Sequence, residues 1–341
     1  MSKPNLEIKL AFIVGLRKIV LNEVGQYQNI HIAKEEGGFI YLDFQPDLSL
    51  FTCFGSILRV YVIAQDLKYT PRYISNHKSI LYHLIALIIE DGKNTFETFK
   101  INCAGSDSPE VRSIAKYIQT TFGLNEEEDA DLKVHIIHTS DTWEIGVEMT
   151  PRPLSSRDYK VLNMGGAINP TIAYAMNSLC ELEHVNSYLN VFSGSATLLI
   201  EAAKRYPNLV RLVGFDNRKE SITLAIQNIK KAGLMKRIQL KERDIFDKPD
   251  LGKFDVITSD LPFGMLILKN ENLEELYRCF VAYCQETLNH GGRLVAYTSE
   301  HKLLKKVLVE SQFKIIKTLE LKLTTSTKTS LYPNIFVCTL K

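Results

Sequence analysis

From Asn169 onward, short apolar runs alternate with helix-period segments, and the runs end at small or acidic residues. That alternation restricts the C-terminal half to a mostly parallel sheet, because parallel strands need helical crossovers between them. In such a sheet ligands collect outside the carboxyl ends of the strands. The run 187–192 leads into Ser193-Gly194-Ser195-Ala196-Thr197 and a helix over 198–204. The run 212–217 ends at Asp216-Asn217, about 20 residues past the small-residue loop. Asp244 and Ile245 follow the short run 238–240, and the run 254–257 opens into Thr258-Ser259-Asp260-Leu261-Pro262-Phe263-Gly264.

Each strand end suggests a chemistry. Small residues at a strand-loop-helix junction let the backbone approach a ligand closely. Asp216 can take both hydroxyls of a ribose, and Asp244 with Ile245 offers a carboxylate and an apolar side chain at the next strand end. Asn169 and Pro170, after Gly165-Gly166, cap a helix through Leu179. The free N–H groups of that helix start suit a carboxylate, although an ordinary capped helix reads the same. A dehydrogenase would want Gly-x-Gly-x-x-Gly, and a P-loop enzyme its lysine; neither pattern occurs.

Asp260-Leu261-Pro262-Phe263 is the acceptor side of the same argument. Pro262 fixes its own φ and pushes Leu261 out of the helical region, so the Asp260 carboxylate and the Leu261 carbonyl can face the cleft together. Two acceptors could hold both hydrogens of a planar amine and favour a lone pair aimed at an electrophile. Phe263 offers a flat face worth about 1–3 kcal/mol per stacked base, the order of the cost of unstacking one.

The rest of the C-terminal half continues the pattern. Helices are expected over 221–232, closed by Gly233, and over 271–289; a fifth strand is expected at 293–297. A closing antiparallel pair is expected at 313–323 and 334–340. The Thr/Ser-rich stretch 324–333 between them reads either as a loop near the substrate or as a plain hairpin connection.

The N-terminal half reads differently. Residues 1–60 form a small α+β unit, with strands at 6–10, 30–32 and 38–44 and a helix over 15–24. A strand at 57–63 leads into a second unit. There a helix is expected over 75–90 and a strand over 96–103. A third helix opens at Ser108-Pro109 and stops at Gly123. An acidic loop then covers 126–131, and strands are expected at 132–138 and 143–149. His135 and His138 fall on opposite strand faces, so no metal role is expected.

Length suggests two or three domains, and 45% apolar with 23% charged residues is ordinary globular composition. No apolar run approaches the ~18–20 residues of a membrane span. The chain enters its first strand without the apolar core of a signal peptide, and the six cysteines are scattered without Cys-x-x-Cys pairs. Reduced thiols and a cytoplasmic location are the expectation. Charge is uneven: residues 1–150 carry 14 Lys/Arg against 20 Asp/Glu, and 151–341 carry 27 against 19. A basic C-terminal half suits a polyanionic partner.

The tetrad resembles the motif of amino-group methyltransferases that use S-adenosylmethionine: Asp or Asn, then Leu or Pro, then Pro, then Phe or Tyr. Residues 190–197 resemble the D-P-F-x-G-S-G-T form of RNA guanosine methylases, with Asn190 for Asp, Val191 for Pro and Ala196 for the third Gly. Asn in place of Asp forgoes a charge-assisted contact of roughly 1.5–3 kcal/mol. Residues 60–157, ending in Gly146-Val147-Glu148-Met149-Thr150-Pro151-Arg152-Pro153-Leu154-Ser155-Ser156-Arg157, resemble the THUMP domain of RNA-modifying enzymes.

The chain as a whole is similar to THUMP-containing RNA methyltransferases. That resemblance implies a class I, Rossmann-like methyltransferase sheet over 158–341 with a final antiparallel hairpin. It is preceded by a ferredoxin-like α+β unit over 1–60 and a THUMP domain over 61–157 that grips the acceptor end of tRNA. It further implies S-adenosylmethionine held by Asn169, Asn190, Phe192, Gly194, Ser195, Thr197, Asp216, Asn217, Asp244, Ile245 and Asp260. It implies too that methyl transfer goes to the 2-amino group of a tRNA guanosine, position six of the acceptor stem, through Asp260, Leu261, Pro262 and Phe263. Arg152 and Arg157 are the expected phosphate contacts, and the protein is expected to be a monomer without metal. The same tetrad also serves methylation of adenine in DNA or glutamine in proteins, against which residues 60–157 speak for RNA. An rRNA guanosine enzyme and an RNA-binding protein whose methylase fold has lapsed stay open too.

Overall fold

Tyr188 through Val191 are buried without a break, the mark of a strand covered on both faces. In the computed structural model that strand is an interior one, third of seven in the C-terminal sheet. The structure describes residues 5–92, 94–105, 107–161, 166–263, 273–324 and 329–341. Gly165, Gly264 and positions 325–328 of the Thr/Ser stretch lie outside them. By contacts the chain divides into two units, Met1–Phe12 with Val20–Ser155, and Ile13–Ile19 with Ser156–Lys341.

The N-terminal elements are β1 (Leu6–Phe12), α1 (Arg17–Val24), β2 (Ile32–Glu36), β3 (Phe39–Asp43), β4 (Ile57–Asp66), α2 (Ile74–Glu90), β5 (Thr98–Cys103), α3 (Pro109–Phe122), β6 (Asn125–Glu126), β7 (Leu132–His138) and β8 (Trp143–Glu148). Their strands form one sheet in the order β2-β3-β1-β4-β8-β7-β5-β6. β4 pairs with β1 on one side and with β8 on the other, so a single ladder runs through residues 1–60 and 61–157 alike. The α3 termini follow their sequence signals: Ser108 Oγ accepts from Val111 N at 3.3 Å, and Gly123, at φ 71°, closes the helix by donating to Gln119 O. Two elements differ from expectation. β2 falls at 32–36 rather than 30–32, because it is an edge strand exposed at all five positions and shows no burial alternation to read. The acidic stretch begins as a two-residue strand, β6, parallel to β5.

The C-terminal elements are α4 (Pro170–Ser178), β9 (Ser187–Val191), α5 (Thr197–Arg205), β10 (Arg211–Asp216), α6 (Lys219–Lys231), β11 (Ile238–Glu242), β12 (Phe254–Asp260), α7 (Leu273–Thr287), β13 (Leu288–Thr298), α8 (His301–Val309), β14 (Phe313–Glu320), β15 (Leu323–Thr324), β16 (Ser330–Leu331) and β17 (Asn334–Leu340). The main sheet runs β11-β10-β9-β12-β13-β17-β14. β17 is antiparallel to both neighbours, and the other pairs are parallel. Leu189 and Val191 pack with Tyr277 and Phe280 of α7 and Leu304 of α8, each apolar side chain contributing ~1.5–3 kcal/mol. Tyr188, on the opposite face, donates its hydroxyl hydrogen to Asn177 Oδ1 of α4 at 2.7 Å.

Chain order reverses at β9, with β10 and β11 to one side and β12 and β13 to the other. A doubly wound sheet opens its crevice at such a point. Among the described residues no helix is long and apolar enough to cross a membrane, and no group of three or more His, Cys, Asp or Glu is placed to hold a metal.

Candidate active site

The strand ends at that reversal surround a cavity of about 290 Å³. Its walls include Phe192, Gly194 and Ser195 after β9, Asp216 and Asn217 after β10, Asp244 and Ile245 after β11, and Asp260 through Phe263 after β12. Eleven of the sequence-derived residues thus share one cavity, contributed by four successive strands.

The small-residue loop is held tightly against the neighbouring strand. Phe192, Gly194 and Ala196 all have positive φ, at 55°, 50° and 61°. Ser193 N donates to Phe215 O at 2.9 Å and Ser193 Oγ to Asn190 O at 2.9 Å. Gly214 makes room for this crossing, since a Cβ there would meet Leu199 Cδ1 at 2.5 Å and Ser193 Oγ closer still. Asp216, 4% exposed, accepts from Gly194 N at 2.9 Å and from Arg218 N at 3.0 Å. Asp244 accepts from Asn217 Nδ2 at 3.0 Å and from Phe246 N at 2.9 Å. Both carboxylates are therefore oriented by the protein, and each oxygen keeps a second lone pair for a ligand hydroxyl or amine.

Asp260 is different. The residue is half-buried, but its Oδ1 is out of solvent and has no hydrogen-bond partner among the described residues. Burial alone pushes this carboxyl up to about 8. An acceptor withheld from solvent and left unpaired is costly unless something else supplies the hydrogen.

Other expected residues sit off the cavity wall. Asn169 caps α4, its Oδ1 accepting from Thr171 N at 2.8 Å, while Gly166, Ala167 and Ile168 before it reach the wall. Asn190 is 1% exposed; its Nδ2 donates to Thr258 O at 3.1 Å and to Val191 O at 3.3 Å, and its Oδ1 lacks a partner among the described residues. Thr197 Oγ1 is bonded to Ser195 Oγ at 2.9 Å. Arg152 is exposed, whereas Arg157 is turned to Glu201 at 3.1 Å, beside a bond from Tyr159 OH to the same carboxylate. A phosphate at Arg157 would have to compete with that largely buried pair. Wall residues that sequence reasoning passed over are Leu198, Arg218, Phe246 and Leu276. Arg218 and Phe246 each adjoin a residue it picked out; Leu276 has only the spacing of a core position.

The RMKL-like methyltransferase domain family, UPF0020, matches residues 157–328, half of the chain. The chain belongs to this family. Similar proteins include the U6 snRNA (guanine-N(2))-methyltransferase THUMPD2 of Bos taurus, 28% identical over 229 residues, 64% of this chain and 44% of that protein. The tRNA (guanine(6)-N2)-methyltransferase of Archaeoglobus fulgidus is 26% identical over 192 residues, 49% of this chain and 48% of that protein. The family member described here thus spans less than half the length of either relative. Among solved structures, TrmN from Thermus thermophilus superimposes with a TM-score of 0.79 at 20% identity, covering 98% of this chain and 100% of that one. SMU.472 complexed with SAH gives 0.72 at 16%, covering 100% and 99%. At these identities the likeness establishes the fold, a class I methyltransferase architecture.

Proposed function

We propose that this protein transfers a methyl group from S-adenosylmethionine to the 2-amino group of a guanosine in RNA, with tRNA as the substrate. The observation that carries the reading is Asp260 Oδ1, a buried acceptor without a partner among the described residues, on the wall of a cavity whose other side offers Asp216 and Asp244. Donor and acceptor requirements meet in one place. The relatives named for guanine-N2 methylation of tRNA and U6 snRNA support the same reaction class.

The residues fit the donor. Asp216 would take the ribose hydroxyls, Asp244 the adenine amine, Ile245 and Phe246 the ring, and the Gly194–Ser195 backbone the amino-acid portion. Asn190 lies off the wall and would act through its Nδ2, which donates to Thr258 O and so holds the β9–β12 junction. When bound, the donor supplies a methyl carbon made electrophilic by its sulfonium. Asp260 and the Leu261 carbonyl accept the two amine hydrogens, and Phe263 stacks on the base. Methylation acidifies the amine, and Asp260 Oδ1 or water takes the released proton. Orientation and charge placement account for the catalysis in this scheme.

The finer assignments belong to the same proposal. Residues 61–157 serve as a THUMP domain gripping the tRNA acceptor end, with Arg152 as a phosphate contact and position six as the target. The protein acts as a monomer in the cytoplasm. Incubating the purified chain with labelled S-adenosylmethionine and tRNA, U6 or rRNA transcripts, followed by nucleoside mass spectrometry, tests the scheme. N2-methylguanosine confined to tRNA is expected; label elsewhere in the base overturns the reaction, and label in rRNA alone overturns the substrate. Ala196 in a left-handed conformation and Asn190 at the usual Asp position favour one second reading, an RNA-binding protein that no longer binds the donor. Calorimetry with S-adenosylmethionine separates the two, since only an enzyme releases binding heat.

A further inference from the structure

Beyond β12 the tetrad has little to fix its path, because Pro262 has no N–H to give. Among the described residues Leu261 N donates to Tyr297 O at 2.9 Å, and the next tie is a side chain: Tyr277 OH donates to Pro262 O at 3.0 Å. Tyr277 comes from α7 and is fully buried. A phenol has one hydrogen, and Pro262 receives it. The 2.7 Å contact between Tyr277 OH and Thr298 Oγ1 must then be donated by Thr298. Thr298 Oγ1 in turn accepts from Glu300 N at 2.9 Å. The result is a one-way chain, Glu300 N–H to Thr298 to Tyr277 to the Pro262 carbonyl. It ties the end of β13 and the start of α8 to the middle of the tetrad, and bonds in such a series strengthen one another.

We propose that Tyr277, with Thr298 behind it, is a positioning residue that fixes the Asp260–Phe263 segment for methyl transfer. The proposal rests on the functional reading above. Tyr277 bonds to Pro262 and Thr298 and not to Asp216 or Asp244, so its effect falls on the acceptor half of the site. Tyr277→Phe keeps the ring in the core and removes only the hydroxyl.

The test uses the full chain. Tyr277→Phe is expected to lower kcat about 10- to 100-fold, the loss that a small misplacement of reacting groups produces, with the S-adenosylmethionine Kd unchanged. Amide exchange at Leu261 and Phe263 speeds up in the same variant, whether or not an RNA substrate is at hand. Thr298→Val gives a smaller kcat loss, and Thr298→Ser restores the rate. A wild-type kcat with unaltered exchange overturns the proposal. So does a Kd that weakens in step with kcat, or a variant that fails to fold, because the hydroxyl would then be holding the domain rather than the tetrad. Wild-type protein that makes no methylguanosine, combined with faster exchange in Tyr277→Phe, speaks against the functional reading and leaves the positioning role supported.

Discussion

Gly194 N donates to Asp216 Oδ2 at 2.9 Å, so the carboxylate at the end of β10 holds the loop that leaves β9. Asp216→Ala should therefore cost twice. The loop loses its anchor, with Gly194 N and Arg218 N left unpaired, a penalty of about 1–3 kcal/mol in stability. The donor site also loses its ribose acceptor. Thermal melts should show the first effect and calorimetry with S-adenosylmethionine an affinity drop beyond it. A variant that melts lower yet binds normally would confine Asp216 to structure.

Asp260 predicts a pH signature. Its folded-state pKa of about 8 lies above the ordinary 3.8, so the folded protein binds a proton that the unfolded chain has released between those values. The stability this provides is complete below the unfolded pKa and is lost as pH rises through the folded one. Asp260→Asn has no such proton to lose. Its Tm advantage over wild type should widen from pH 5 to pH 8.5, while methyl transfer is abolished and donor binding persists. Wild-type activity should climb through about pH 8 as the carboxylate ionises. Parallel Tm curves for the two proteins would remove the burial argument.

Gly214 sits in mid-strand, where glycine is otherwise a weak choice. A methyl group there would press on Leu199 and Ser193, the residues that carry the small-residue loop across β10. Gly214→Ala should lower stability by about 1–3 kcal/mol, the usual cost of overpacking. It should also weaken donor binding, because Ser193, which the methyl group would displace, lines the cavity. Denaturant unfolding and calorimetry on the same sample check both.

Much of this was legible in the sequence, for a definable reason. Gly194, Asp216, Asp244 and Asp260 each stand at the end of an apolar run, and parallel strands carry their ends to one edge. Local caps were legible too, as at Ser108 and Asn169. What could not be read depends on contacts distant along the chain. Arg157 looks like an exposed phosphate ligand until Glu201 is brought beside it. Tyr277 looks like a core aromatic of α7, since nothing local marks Pro262 O as its partner. The β2 edge strand lacks any burial period. α8 is another matter: Leu303, Leu304, Val307 and Leu308 carry helical spacing, a local signal of the helix.

Ala196 supplies the last prediction. It is fully buried at φ 61°, a left-handed conformation at the start of α5, which costs a residue with a Cβ roughly 1–2 kcal/mol relative to glycine. Glycine surrenders about 0.5–1 kcal/mol of that through its freer unfolded chain. Ala196→Gly should therefore raise stability by about 0–1.5 kcal/mol, read as a small upward shift in denaturant midpoint at unchanged slope. The loop would also reach the conformation without strain, so affinity for S-adenosylmethionine should hold or improve. A clear loss of stability would mean that the Ala196 methyl group fills space in the core that matters more than the backbone strain it imposes.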